Sequence, residues 1–101
     1  MNNCFVVLAA GNSRRFKSEI PKQFSKINGV MMLDYSVNTA LKSKLFDRIL
    51  IVINKNQKKY VKNFSNKKIK IIFGGDSRQI SSLKSLNYLK KNNPKNVFIH
   101  D

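Results

Sequence analysis

Short uninterrupted apolar runs alternate along this chain with segments whose apolar residues recur every three or four positions. Cys4 to Leu8 is the first such run and predicts a central strand covered on both faces. From Leu33 onward, Leu33, Val37, Ala40, Leu41 and Leu45 fall at helical spacing and leave Asn38, Lys42 and Lys44 outside, which predicts an amphipathic helix. Arg48 to Ile53 is β-branched and continuous, so it reads as a second buried strand. Lys55 to Phe64 is polar, with Tyr60, Val61 and Phe64 on one side of a short helix. Lys70 to Phe73 makes a third strand that ends in Gly74-Gly75-Asp76. Beyond it, Ile80, Leu83, Leu86 and Leu89 mark a third helix, with Asp76 or Ser77 as N-cap, Lys90 and Lys91 in the last turn, and Asn92-Asn93-Pro94 as its stop. Val97-Phe98-Ile99 opens a fourth strand.

This alternation predicts an α/β fold, a mostly parallel sheet with helices on its faces and right-handed crossovers. Ligands in such sheets sit at the carboxyl ends of the strands. Three loops fall there: Ala10 to Lys22, Gly74 to Ser82, and His100-Asp101. Residues 9–30 read as one long basic loop closed by the turn signal Asn28-Gly29. At 101 residues the chain reads as one unit, with a core but no room for a second domain. No repeat and no low-complexity linker divides it.

Charge adds a second picture. Twenty Lys and Arg against five Asp and Glu give +15, enough to attract any polyanion. The excess is mostly lysine at surface-like positions, and no aromatic-interleaved platform, zinc spacing or basic heptad array accompanies it, so nucleic acid is not the expected partner. No apolar run approaches the roughly 20 residues of a membrane span. The amino end, with its apolar run ahead of its arginines, lacks the order of a secretory signal, and a cytoplasmic location is the expectation. Cys4 is the only cysteine, excludes an internal disulfide, and reads as a small strand residue.

The chemistry gathers after the first strand. Small residues at Ala9, Ala10 and Gly11 let a ligand approach the backbone, the turn can aim several N–H groups at one anion, and Arg15 and Lys22 bring positive charge to the same place. A plain strand, turn and solvated basic loop is the competing reading. The dinucleotide fingerprint is disfavoured because Ser13 and Phe16 stand where its later glycines belong, and the P-loop because no Gly-Lys-Ser/Thr follows. What remains is Ala9-Ala10-Gly11-x-x-x-Arg15, then Pro21-Lys22-Gln23-Phe24, then Gly74-Gly75-Asp76-x-Arg78-x-x-Ser81, then Ile99-His100-Asp101.

These motifs, in this order and at these intervals, resemble those of the sugar-phosphate nucleotidyltransferases, and among them the 2-C-methyl-D-erythritol 4-phosphate cytidylyltransferase family. The likeness runs across essentially the whole chain. It implies a Rossmann-like three-layer αβα domain, truncated here, with residues 1–101 as its amino-terminal nucleotide-binding part. The activity implied is transfer of a cytidylyl group from CTP to 2-C-methyl-D-erythritol 4-phosphate with release of pyrophosphate, in the non-mevalonate route to isoprenoids. Arg15 and Lys22 match the family's transition-state stabilisers, and backbone groups of Ala9, Ala10, Gly11, Asn12 and Ser13 would hold the triphosphate. Gly75, Asp76 and Ser81 match its cytosine and ribose contacts, with Asp76 also readable as a helix cap. Asp101 matches an acid near Mg²⁺, the implied divalent cofactor, while His100 reads as a structural residue at a strand end. Ser13 departs from the glycine usual in the family. The family's further strands, a dimer arm, acceptor-binding residues and another lysine have no counterpart here, so the chain reads as a fragment, inactive alone and homodimeric when full length. Ribitol-5-phosphate cytidylyltransferase shares the motifs and is the rival within this chemistry; a basic nucleic-acid-binding module is the rival from another class.

Overall fold

A computed structural model describes residues 2–10, 22–62, 64–75 and 77–100. Four parallel strands form the sheet: β1 (Asn3–Leu8), β4 (Arg48–Ile53), β5 (Ile69–Phe73) and β6 (Asn96–His100), in the order β5-β4-β1-β6. A small antiparallel pair, β2 (Lys26–Ile27) and β3 (Val30–Met31), precedes helix α1 (Met32–Ser43), and α2 (Arg78–Leu89) links β5 to β6.

The strand order carries the topology. From β1 the chain steps outward to β4 and then β5, and then returns past both to place β6 on the far side of β1. If every crossover has the same hand, that change of direction forces α2 onto the face opposite α1. The core divides accordingly. Val7, Ala9, Leu33, Val37, Ala40, Ile49, Ile51 and Ile53 are buried together on the α1 side, whereas Cys4, Val6, Leu8, Ala10, Leu50, Val52 and Leu89 are buried on the α2 side. Successive residues of β1 and β4 therefore feed opposite layers, and after Asn3 and Arg48 at their starts both strands are apolar because both faces are covered.

Local chemistry explains most element boundaries. Met31 N–H donates to the Asp34 carboxylate at 3.2 Å at the start of α1, which ends where Lys44 turns left-handed at φ 58. Leu45, expected on the buried stripe, therefore lies beyond the helix and is exposed. The expected short helix is a 3-10 turn, Lys55–Tyr60, and Tyr60, Val61 and Phe64 pack on the α1-side core as their spacing suggested. Ser77 caps α2: its Oγ accepts from Ile80 N–H at 3.1 Å. The last turn closes at Leu89, short of Lys91, and Asn93 adopts φ 46 beyond it.

Two expectations are corrected. The 9–30 stretch is not loop throughout, because Asn28 and Gly29 (φ 52 and 79) turn a hairpin between β2 and β3; two successive positive φ angles are what the tightest hairpin turn demands. Of the expected apolar stripe of α2 only Leu89 packs on the sheet. Ser81, Ser85 and Leu89 are buried, while Ile80, Leu83 and Leu86 are 44, 59 and 45 % exposed. Small side chains let the helix approach closely, and the hydroxyls are satisfied at short range, Ser85 donating to the Ser82 carbonyl at 2.7 Å. The lysine excess is on the surface as expected: Lys42, Lys58, Lys67 and Lys90, for example, are exposed.

At the amino ends of the strands, the Asp47 carboxylate accepts from Asn2 and Asn3 N–H at 2.8 and 3.0 Å, and those bonds hold its pKa below 3.8. The stabilisation is complete above that value and is lost as pH falls through the lower folded-state value. Asp47→Asn is expected to lower the melting temperature at pH 7, with the difference from wild type shrinking as the pH is taken well under 3.8. An equal deficit at pH 7 and pH 2.5 would contradict this. Burial pushes the Cys4 thiol up to about 11, against a smaller opposing pull from Arg48. The native protein should accordingly resist an aromatic disulfide reagent at pH 8 and react fully once unfolded in guanidinium.

Candidate functional site

The carboxyl ends of the strands meet where the strand order reverses, between β1 and β6. Val7 lies opposite His100 in the ladder, so β6 leaves the sheet beside the exit of β1. This is the crevice position at which open α/β sheets bind ligands. His100 stacks on Phe5 with centroids 6.0 Å apart, a packing role.

The tip of β4 holds both of its neighbours. Val52 O accepts from Ala9 N–H and Ile53 O from Gly74 N–H, each at 2.8 Å, and the Asn54 side-chain amide donates to Ala10 O. Three consecutive residues thus fix the exits of β1 and β5. Ala9 and Ala10 are 1 and 4 % exposed and feed the α1-side and α2-side cores respectively. Their small size is demanded by packing as well as by any ligand approaching the backbone.

Gly74 and Gly75 are glycines for a steric reason. A Cβ on Gly74 would lie 2.4 Å from Ser81 Oγ and 2.7 Å from Val52 Cγ1, and one on Gly75 would lie 2.1 Å from Ile80 Cγ2. The loop is pressed onto the first turns of α2. Ser81, 2 % exposed, uses its hydroxyl there, accepting from Gly75 N–H at 3.2 Å and donating to Gly75 O at 3.4 Å. Of the residues expected to contact cytosine and ribose, Gly75 and Ser81 are thereby brought together.

Next to this loop lies an open cleft of about 600 Å³ lined by Asn54, Lys55, Asn56, Gly74, Gly75, Ile80 and Lys84. Two lysines give it a positive wall, and Lys84 Nζ donates to Gly74 O at 3.4 Å. Gly11, Asn12, Ser13, Arg15, Asp76 and Asp101 lie outside the described residues, as does the Lys22 side chain. The backbone of Lys22 opens a 3-10 turn, Lys22–Phe24, whose Phe24 is buried and stacks on Tyr60 at 4.5 Å. The Pro-Lys-Gln-Phe motif therefore has an anchor two residues after its lysine. Among the described residues no three His, Cys, Asp or Glu side chains gather as a metal site, and no helix is long and apolar enough to cross a membrane.

Asn54, Lys55 and Lys84 were not singled out by the sequence. The available signal for Asn54 was its place, a polar residue directly after a buried central strand.

The model of the 2-C-methyl-D-erythritol 4-phosphate cytidylyltransferase (IspD) family matches residues 3–101. The chain belongs to that family. It is 42 % identical over 101 residues to the bifunctional enzyme IspD/IspF of Pelagibacter ubique, all of this chain against 27 % of that protein. It is 35 % identical to the cytidylyltransferase of Thermosipho melanesiensis, over 98 % of this chain and 46 % of that one. The crystal structure of the Francisella tularensis family member superposes with a TM-score of 0.78 at 29 % identity, covering 100 % of this chain and 44 % of its own. The chain thus spans between about a quarter and a half of the relatives it matches, and the αβα architecture expected from its motifs is theirs.

The pressed glycine loop yields a double-mutant test. Gly75→Ala should destabilise the chain by about 1 to 3 kcal/mol in urea unfolding, the usual cost of overpacking. Ile80→Ala removes the Cγ2 that the new methyl would strike first but keeps the Cβ, 2.8 Å away, so combining the two should recover part of the loss. Strictly additive effects would show that Gly75 is not held against Ile80.

Proposed function

We propose that residues 1–101 form the amino-terminal, CTP-binding part of a cytidylyltransferase domain. Its reaction joins a cytidylyl group from CTP to 2-C-methyl-D-erythritol 4-phosphate and releases pyrophosphate. The observation that carries this reading is the reversal of strand order, which sets the exits of β1 and β6 side by side, in a chain of this family.

An oxygen of the acceptor phosphate attacks the α-phosphorus of CTP in line. A new P–O bond forms, the bond to the bridging oxygen breaks, and pyrophosphate leaves with that electron pair. The reacting centre gains negative charge on oxygens already crowded with it, so the protein's work is to position and neutralise. Arg15 and Lys22 brace the nonbridging oxygens. Backbone N–H groups from Ala10 to Ser13 hold the triphosphate, with Ala9 supporting them from the core. Gly75 and Asp76 read cytosine and ribose, and Ser81 acts through the Gly75 backbone it engages.

Mg²⁺ fits the chemistry of the remaining acids. Asp34 caps α1 and Asp47 clamps the amino ends of the strands, which leaves Glu19, Asp76 and Asp101; of these we assign the hard cation to Asp101, next after His100 in the sequence, because it is the acid that the family resemblance matches to the metal. Asp101 would hold the ion, which would supply further charge neutralisation. The full-length protein is read as a cytoplasmic homodimer with no nucleic-acid partner.

The full-length gene product, given labelled CTP and each acceptor in turn, should transfer to 2-C-methyl-D-erythritol 4-phosphate in preference to ribitol 5-phosphate. Arg15→Ala and Lys22→Ala should each lower kcat by roughly 10²–10³-fold without lowering the melting temperature, the usual loss for a transition-state donor. Preference for ribitol phosphate would overturn the acceptor. No transfer at all, with salt-dependent binding of random RNA indifferent to both substitutions, would favour the basic module instead.

A further inference from the structure

We propose that Asn54 is a positioning residue that sets the peptide leaving Ala10 for triphosphate binding, an inference that rests on the CTP-binding reading above. The case begins with what ends the β1–β4 ladder. Among the described residues Ala9 N–H is the last backbone donor from the β1 segment to β4, bonding Val52 O at 2.8 Å. One residue further, no backbone group of β4 reaches Ala10 O; the Asn54 side-chain amide takes it instead. A peptide group is planar, so holding that carbonyl fixes the orientation of the whole unit that leads from β1 into the basic stretch.

Asn54 can do this because it is itself immobilised. Its N–H donates to Gln57 Oε1 at 2.8 Å, and its own carbonyl accepts from Gln57 N–H at 2.9 Å. Gln57 is 2 % exposed, so the side chain that grips Asn54 is locked in the interior. Donation from Asn54 N–H also fixes which atom of the Gln57 amide is oxygen, and leaves its buried Nε2 without a hydrogen-bond partner. A buried amide with an unsatisfied donor costs stability, and the return visible here is a rigid Asn54. The same residue lines the cleft beside Gly74 and Gly75, so it stands between the triphosphate side of the site and the loop that reads the base. Preorganised backbone donors act only when they need not reorient on binding, and Asn54 removes that freedom at Ala10.

Titration calorimetry on the full-length gene product with inorganic triphosphate and, separately, with cytidine tests this. Asn54→Ala should weaken triphosphate binding about tenfold, the loss of one hydrogen bond's worth of preorganisation, and leave cytidine affinity within about twofold. Asn54→Asp keeps the shape but replaces the donor with a charged acceptor facing Ala10 O, and should weaken triphosphate binding further. Both variants leave the buried Ala10 carbonyl without this donor and should melt somewhat below wild type, so the split between triphosphate and cytidine affinity, not the melting temperature, reads the positioning role. Equal weakening for triphosphate and cytidine, or unchanged triphosphate affinity in Asn54→Ala while cytidylyl transfer by wild type is intact, overturns the inference and leaves the reaction standing. Triphosphate binding that depends on Asn54 in a protein unable to transfer cytidylyl groups overturns the reaction and leaves the inference standing. A wild type that binds no triphosphate overturns both.

Discussion

Everything at the site depends on β1 being held on both edges. Its ladder to β4 runs from Cys4 to Leu8 and its ladder to β6 from Asn3 to Val7, so the strand has no free edge and no wet face. A strand in that position cannot slip by one residue without turning its two core sets inside out, since Val7 and Ala9 feed one layer and Val6, Leu8 and Ala10 the other. The exit of β1 is consequently firmly located, and the stretch proposed to bind the triphosphate starts there. The same double pairing makes the strand order reverse at β1, and a reversal is what opens a crevice above a sheet that is otherwise closed by its own crossovers.

The strands were legible because their burial is written in composition. Leu50 and Val52 face one layer while Ile49, Ile51 and Ile53 face the other, and only a continuous apolar run satisfies both. The helix faces were less legible. Ile80, Leu83 and Leu86 recur at a spacing that marks a helix, but that spacing does not say which side meets the sheet; the contact of Ser81 with Gly74 and Gly75 decides it, and a serine at that place carries no hydrophobic signal. The β2–β3 hairpin was announced by Asn28-Gly29, yet its strands are two residues each, too short for alternation to show. At the site, Ala9, Ala10 and Gly75 could be found from their motifs, whereas Asn54 could not, because what it does depends on a carbonyl 44 residues away.

The glycine pair shows how one residue type can serve two readings. Glycines at the end of a strand suggest a backbone laid bare for a ligand, and in Gly74-Gly75 the absent side chains are equally required by Ser81, Val52 and Ile80 behind them. The two demands agree. Pressing the loop onto α2 from behind leaves its other side to the cleft, and Ser81 ties down the Gly75 peptide that borders it.

Charge and geometry divide the remaining labour. A net charge of +15 gives the whole surface an attraction for anions, but exposed lysines such as Lys58, Lys67 and Lys90 hold their charge on flexible stems in water, where salt screens it and no one phosphate is preferred over another. Selection needs groups that do not move. At the strand exits, Ala9 N–H and Gly74 N–H are held by Val52 O and Ile53 O, and Ala10 O by the Asn54 amide, so the backbone there is fixed in place. Diffuse surface charge can draw any polyanion to the molecule, whereas a selective site has to be built from groups held as these are.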